Sequence, residues 1–295
     1  MRGFADPDQV ERFGRMLGEY SGKNGSKILV SWIGGEPFLW PSLLNISSKF
    51  INEFGLEISC TTNGMPLRSS AIREQVAERF SELVVSIDGL GAATDLPRQQ
   101  PGLFEELKRN ISELASLKEA RSSNLRLKVN TILMRHNIDC FERFCEEMVS
   151  WGVDELTFNQ LGGYDRPEFF PANRLLPEQV RRFADALPVW RSSFANRGLT
   201  IHGSDAYLHR FICSSLDQKI PIEDCSPGAW FWFINESGLI SPCSYTSYEY
   251  AVDIRALSTF DDLHCVENKF RSLRNAARSR FCNDCHCTQV HDKFS

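Results

Sequence analysis

The residues KILVSWIGGEP at 27–37 set the pattern for most of the chain: an apolar run of strand length ends abruptly in Gly34-Gly35-Glu36-Pro37. Five more such runs follow, at 56–60 (LEISC), 83–87 (LVVSI), 125–134 (LRLKVNTILM), 156–160 (LTFNQ) and 199–202 (LTIH). They are rich in Val, Ile, Leu and Thr, the composition of strands buried on both faces. Helical segments separate them at 41–54, 69–80, 103–118, 140–151 and 177–195, with Pro41 and Pro177 near first turns, where a missing N–H costs nothing. Alternation of strand and helix from 27 to about 203 predicts parallel strands joined by right-handed crossovers. A doubly wound sheet and a full or partial barrel both satisfy that pattern.

In such sheets, function collects beyond the carboxyl ends of the strands. The residues there are Gly34-Gly35-Glu36-Pro37, Thr61-Thr62-Asn63-Gly64, Asp88-Gly89 and Leu161-Gly162-Gly163. Glycine lets backbone approach a ligand closely, and Glu, Asn and Asp supply hydrogen-bonding groups. Each loop alone reads as a turn, since the same residues dominate turns. Four on successive strands point to a shared ligand site.

Beyond Asp205 the alternation stops, and a second, smaller module is expected from 206 to 295 after a first from 1 to 205. Residues 230–243 (WFWFINESGLISPC) predict a hairpin turning at Asn235–Gly238. A helix over 259–280 follows, with Ser258 or Thr259 as its cap and Asp261 and Asp262 in its first turn. Six of the ten cysteines lie between Cys225 and Cys287.

Composition narrows the class. The formal net charge of −5 argues against nucleic acid as a partner. The basic stretch 269–280 reads as a solvated helix face. No signal-peptide pattern and no apolar run of membrane length is present, so the expectation is a cytoplasmic protein with no membrane partner. Without export, free thiols or metal ligands are favoured over disulfides.

The ordered series Gly-Gly-Glu-Pro, Thr-Thr-Asn-Gly and Val-Ser-Ile-Asp-Gly resembles the core of the radical S-adenosylmethionine (SAM) superfamily over nearly the whole chain. The resemblance implies an α/β fold, a partial (β/α)6 TIM-like barrel lacking its first strand. It implies a SAM site in which the Gly34–Pro37 backbone and Glu36 bind the SAM amine, Ser86 meets the ribose or carboxylate, and Leu161 packs on adenine. Asn63 and Asp88 belong to the same set. Arg98 falls where the family has its SAM-carboxylate arginine, and a guanidinium fork suits a carboxylate withdrawn from water. By itself Arg98 reads as an exposed helix-entry residue; with Asp88-Gly89 upstream and Pro101-Gly102 before a helix, the two readings stand even.

Cys225-x12-Gly238-x4-Cys243 followed by Cys282-x2-Cys285 resembles the twitch and SPASM modules appended to such cores, which hold auxiliary iron–sulfur clusters. The implied cofactor is one auxiliary 4Fe–4S cluster on Cys225, Cys243, Cys282 and Cys285, with Cys287 the other candidate for the fourth place. A four-sulfur set also suits structural zinc, which stays the rival. Cys60, Cys140, Cys145, Cys213 and Cys265 read as packing residues.

The family's Cys-x3-Cys-x2-Cys motif occurs nowhere in this sequence. The expectation is an amino-terminal truncation ahead of the helix at 8–20, with the radical SAM cluster present only in a full-length form. The implied activity is hydrogen abstraction from a peptide or small-molecule substrate by a 5′-deoxyadenosyl radical, with flavodoxin or ferredoxin as electron donor. The alternative is a non-catalytic metal-binding or peptide-binding scaffold.

Overall fold

A computed structural model describes residues 3–95, 98–162 and 167–291. In chain order the helices are α1 (Pro7–Asn24), α2 (Leu43–Asn52), α3 (Ser70–Arg79), α4 (Ala92–Asp95), α5 (Leu103–Ala120), α6 (Phe141–Ser150), α7 (Phe170–Asn173), α8 (Pro177–Ala195), α9 (Asp205–Ser215) and α10 (Phe260–Ala276). The strands are β1 (Leu29–Trp32), β2 (Glu57–Thr62), β3 (Glu82–Ser86), β4 (Arg126–Leu133), β5 (Glu155–Gln160), β6 (Thr200–Ile201), β7 (Phe233–Ile234), β8 (Leu239–Ser241) and β9 (Val252–Asp253). The first six form one parallel sheet in the order β1-β2-β3-β4-β5-β6, and the last three a small antiparallel sheet.

Strand order settles what periodicity left open. A doubly wound sheet reverses direction at a switch point. Here every strand pairs with its successor and none is skipped, the progression of a barrel segment. Because the strands are parallel, the loops after β1, β2, β3 and β5 share one edge of the sheet.

Register then sorts the side chains, because in-register neighbours point to the same face. On one face lie Ile58, Cys60, Leu83, Val85, Leu127, Val129, Leu156 and Phe158, all with no exposed surface. Phe158 sits among Phe141, Phe183, Tyr207 and Phe211, with ring centroids 5.2–5.8 Å away. The opposite face carries Glu82, Ser86, Lys128, Asn130, Glu155, Thr157 and Asn159. The expectation of strands apolar on both faces is therefore corrected: this sheet has an oily face and a polar one. On the polar face the Lys128 ammonium lies 2.9 Å from both Glu82 and Glu155, and Arg126 pairs with the same two carboxylates. A buried ammonium needs such partners, since desolvation without them is costly.

The described chain forms two compact units. One comprises residues 31–39 and 58–218 and contains the sheet apart from its first residues. The other comprises residues up to 30, 40–57 and 219–291, so α1 and α2 belong with the carboxyl-terminal segment. Within this second unit Gly14 and Gly18 of α1 lie against Phe50 and Phe54, where an added Cβ would meet atoms at 2.2 and 2.7 Å. Arg12 of α1 donates to the carbonyls of Leu257 and Ile254, both at 2.6 Å. The hairpin forms as expected across Phe233–Ser241 but is shorter, and Trp230 stands 94% exposed outside it.

Candidate functional site

The edge site is assembled by short-range ties among its own loops. Gly34 adopts φ +145°, and side chains added at Gly34 or Gly35 would meet no atom within 4 Å, so this backbone faces open space. Pro37 is buried and starts a 3-10 turn over Pro37–Leu39. The Glu36 carboxylate accepts from the Thr62 hydroxyl at 2.9 Å, the Asn63 amide at 2.8 Å and the Phe38 amide at 3.3 Å. Glu36 thereby fastens the loop after β1 to the end of β2, and its oxygens serve the protein first. Asn63 turns its Oδ1 back to the Met65 amide at 2.8 Å, an Asx turn. Gly64 follows at φ +84°, where a Cβ would strike Leu107 at 2.4 Å.

Arg98 joins this edge. Its Nη1 donates to the Asn63 carbonyl at 3.1 Å and its Nη2 to the Ser86 carbonyl at 2.6 Å, while Asp88 Oδ2 lies 3.9 Å from Nη2. It is partly buried and is no exposed helix-entry residue. The preceding Leu96 and Pro97 lie outside the described residues. Asp95 steadies the far side by accepting from the Gly102 and Phe104 amides, each at 2.8 Å, at the start of α5. The guanidinium has five N–H donors, two of them on these carbonyls. Leu161 directly follows β5 and is half-buried, as is Gly162; Gly163 lies outside the described residues.

Several residues that shape this edge were not read from the sequence. Asn137 donates to the Asp88 carbonyl at 2.6 Å and the Ile132 carbonyl at 2.8 Å, and Asp88 Oδ1 accepts from the Ile132 amide at 3.0 Å. Together they lock the Asp88 loop against β4. Next to Ser86 on the polar face, Asn130 Oδ1 accepts from Thr157 at 2.9 Å and Asn159 at 3.1 Å, and the Tyr207 hydroxyl reaches Asn159 Oδ1 at 2.9 Å. The alternation in 125–134 was the available signal: Lys128, Asn130 and Ile132 fall on one face.

The thiol residues come together in the other unit. The segment before Cys225 pairs with the Cys-x2-Cys knuckle: Ile222 N–H donates to the Cys282 carbonyl at 2.9 Å, and Cys285 N–H to the Ile220 carbonyl at 3.0 Å. Cys225, Cys243, Cys282, Cys285 and Cys287 are all free, and Cys225, Cys285 and Cys287 each feel the charge of other thiols in the set. Burial pushes Cys225 up, Cys285 to about 12 and Cys287 to about 11. The Cys285 sulfur already accepts the Cys287 amide at 3.4 Å, a donor to sulfur of the kind that tunes iron–sulfur sites. Among the described residues no three His, Cys, Asp or Glu side chains stand close enough to hold a metal ion. The donor type is that of a thiolate-bound metal group, while the sulfurs do not surround a common centre among the described residues.

The remaining cysteines divide. Cys60, Cys145 and Cys213 are buried, and burial drives the Cys60 and Cys145 thiols far up. Cys140 is half-buried. Cys265 corrects the packing expectation: it is exposed, because α10 turns Leu263, Val266 and Phe270 inward and leaves Cys265 off that face. The basic stretch is also corrected in part, since Arg274 and Arg278 donate to the Ile222 carbonyl at 2.8 and 3.0 Å. No helix among the described residues is long and apolar enough to cross a membrane.

No family model matches the sequence, and no curated protein is similar to it. Solved structures do share its fold. Streptococcus suis SuiB bound to precursor peptide SuiA superposes with a TM-score of 0.64 at 14% identity, covering 96% of this chain and 63% of SuiB. SuiB bound to S-adenosylmethionine gives 0.64 at 14%, covering 95% and 66%. anSMEcpe with bound AdoMet and the Kp18Cys peptide gives 0.62 at 15%, covering 99% and 83%. In the first alignment the chain thus spans less than two thirds of SuiB's length. These neighbours are radical SAM enzymes, and this chain shares their α/β fold.

Proposed function

We propose that the chain is the SAM-binding core (1–205) and auxiliary-cluster module (206–295) of a radical SAM enzyme that acts on a peptide. The observation that carries the reading is Arg98, whose guanidinium spans the Asn63 and Ser86 carbonyls and so draws the loops after β2 and β3 to one point. Glu36 ties the loop after β1 to the same point. In this reading the open backbone of Gly34 and Gly35 accepts the SAM amine, and Glu36 and Pro37 hold it in place. Arg98, with Asp88 beside it, meets the carboxylate; Ser86 meets the ribose, and Leu161 covers adenine. A form carrying the first iron–sulfur cluster would let bound SAM supply a 5′-deoxyadenosyl radical for hydrogen abstraction from substrate, with these residues holding SAM in place. This sequence itself has no Cys-x3-Cys-x2-Cys to hold that first cluster.

The peptide substrate is supported by two neighbours, SuiB and anSMEcpe, seen with peptides bound. Cys225, Cys243, Cys282 and Cys285 would hold the auxiliary 4Fe–4S cluster, which supplies one-electron transfer when bound; flavodoxin or ferredoxin would be the donor. Burial keeps the Cys225 and Cys285 thiols protonated at neutral pH, so loading would release protons.

Anaerobic reconstitution tests the module: about four irons and four sulfides per chain are expected. Cys243→Ser should lose most of that iron and Cys60→Ser none, while Cys287→Ser decides the fourth ligand. Stoichiometric zinc without iron uptake would overturn the cluster in favour of a structural tetrad. SAM binding to this chain, measured by calorimetry, should be weak, because iron is the main anchor of the methionine end. Tight binding would contradict that assignment.

A further inference from the structure

The polar face of the parallel sheet is layered along its strands. At the amino ends lie Glu82, Arg126, Lys128 and Glu155, and their charges answer one another. Lys128 sits 2.9 Å from both carboxylates, Arg126 pairs with the same two, and His202 Nε2 lies 2.8 Å from Glu155. Toward the carboxyl ends the same face carries Ser86, Asn130, Thr157 and Asn159, with Ser86 beside Asn130 and Asn130 beside Thr157 in register. These four side chains are hydroxyls and amides, none of them charged. Beyond them, Asp88 and Arg98 face each other at 3.9 Å.

The uncharged layer is oriented from behind. Thr157 and Tyr207 are buried, and their hydroxyls lie 2.9 Å from Asn130 Oδ1 and 2.9 Å from Asn159 Oδ1 respectively. Asn159 Nδ2 donates to Asn130 Oδ1 at 3.1 Å. Donors converge on the Asn130 oxygen and so fix which way its amide faces. Asn130 and Asn159 are themselves only half-buried. Two hidden hydroxyls thus hold two reachable amides, which is how a binding surface is preorganised.

Position supplies the occupant. In the reading above Ser86 meets the SAM ribose, and hydrogen abstraction requires the reacting peptide residue to lie in contact with that end of SAM. Asn130 and Asn159 are what the polar face offers next to Ser86. We propose that Asn130 and Asn159 form the substrate subsite and select an uncharged, hydrogen-bonding peptide residue. An amide or hydroxyl side chain exchanges hydrogen bonds with them. A lysine or glutamate side chain brought to the same layer leaves water without a counter-charge, which is costly. The inference rests on the SAM-site reading and adds substrate specificity to it.

The test titrates the isotope-labelled full chain, holding 5′-methylthioadenosine, with the N-acetyl N-methylamides of serine, asparagine, lysine and glutamate, and follows the asparagine side-chain signals by NMR. The serine and asparagine compounds should move the Asn130 and Asn159 signals at millimolar concentration, and the charged pair should bind about tenfold more weakly. Asn130→Asp keeps an oxygen toward Thr157 and Asn159 and turns a carboxylate oxygen outward, so it should raise lysine binding about tenfold and weaken glutamate further. Asn159→Asp should shift the preference the same way. Equal binding of all four compounds, or a preference unchanged in both variants, overturns the proposal, and methylthioadenosine shifts at Ser86 and Leu161 then leave the SAM reading standing. Asn130→Ala that weakens methylthioadenosine but not the asparagine compound gives Asn130 to the ribose and overturns the subsite as well. If methylthioadenosine moves neither Ser86 nor Leu161, the SAM reading falls and the subsite falls with it.

Discussion

The unit that holds the sheet and the unit that holds the thiols reach order by different means. The first has long strands whose oily face is closed by aromatic rings around Phe158, and whose polar face is closed by Lys128 between two carboxylates. In the second, the sheet strands are two or three residues long. Its core is a helix-on-helix contact of α1 with α2 plus the inward side of α10, and its far end is a knuckle of thiols pushed up by burial. The difference teaches where each unit's chemistry can live. A packed sheet can hold a preformed edge of loops, whereas a module with little core can couple its own closure to the binding of a ligand.

The largest expected effect lies in the oily face. Phe158→Ala removes a fully buried ring in contact with four others and should cost about 3–5 kcal/mol, read as a fall in the urea midpoint. A cost below about 1 kcal/mol would mean that the ring cluster is not what closes the sheet.

On the polar face the expected effects are nearly as large and depend on pH. Burial works against the charged form of Glu155, yet hydrogen bonds from His202 and Lys128 outweigh it and hold the carboxyl at about 2 instead of its ordinary 4.5. A folded pKa below the unfolded one stabilises the protein at pH above about 4.5. That contribution is lost as pH falls from 4.5 through 2, and amounts to about 3 kcal/mol. Glu155→Gln should flatten the acid limb of stability in that window, followed by circular dichroism. Lys128→Met leaves Glu82 and Glu155 without their shared ammonium and should cost about 3–5 kcal/mol near neutral pH. An acid limb identical in wild type and Glu155→Gln would remove the network from the account.

The sequence made the order of the sheet legible because each strand begins and ends in its own local signals: all six lie within a few residues of the runs first read. The division of its faces was written in 125–134, where Lys128 and Asn130 alternate with Leu127 and Val129, but the apolar content of the neighbouring strands masked it. The edge loops were legible as motifs; their connections were not. Arg98 meets an Asn63 carbonyl that lies 35 residues away, and Asn137 meets Asp88 across 49. Contacts with main-chain carbonyls leave no trace in residue type at the accepting end. The same reason hid Arg274, whose partner is the Ile222 carbonyl and whose basic neighbours looked like a solvated face. Cys265 was misread because a helix face, and not its immediate neighbours in sequence, decides burial.

The smallest expected effect sharpens the comparison most directly, because the same kind of helix cap occurs in both units. In the thiol unit α10 starts with a reciprocal capping box: Thr259 Oγ1 accepts the Asp262 amide at 3.3 Å, and Asp262 Oδ2 accepts the Thr259 amide at 2.9 Å. Asp262 also accepts the Ser258 amide at 2.8 Å, and these backbone bonds hold its carboxyl below the usual range. In the sheet unit Ser69 Oγ accepts the Ile72 amide at 3.4 Å to start α3. Thr259→Ala and Ser69→Ala should each cost about 1 kcal/mol. Their reach should differ. α3 lies over a packed sheet, so loss of its cap should raise hydrogen exchange only in its first turn. α10 carries Leu263, Val266 and Phe270 into a small core and Arg274 to the Ile222 carbonyl, so loss of its cap should raise exchange along the helix to Arg274 in the metal-free chain. Metal loading should reverse that spread, because ligation fixes the segment that Arg274 grips. Exchange confined to the first turn in both variants, with or without metal, would show that the thiol unit is as cooperative as the sheet and needs no ligand to close it.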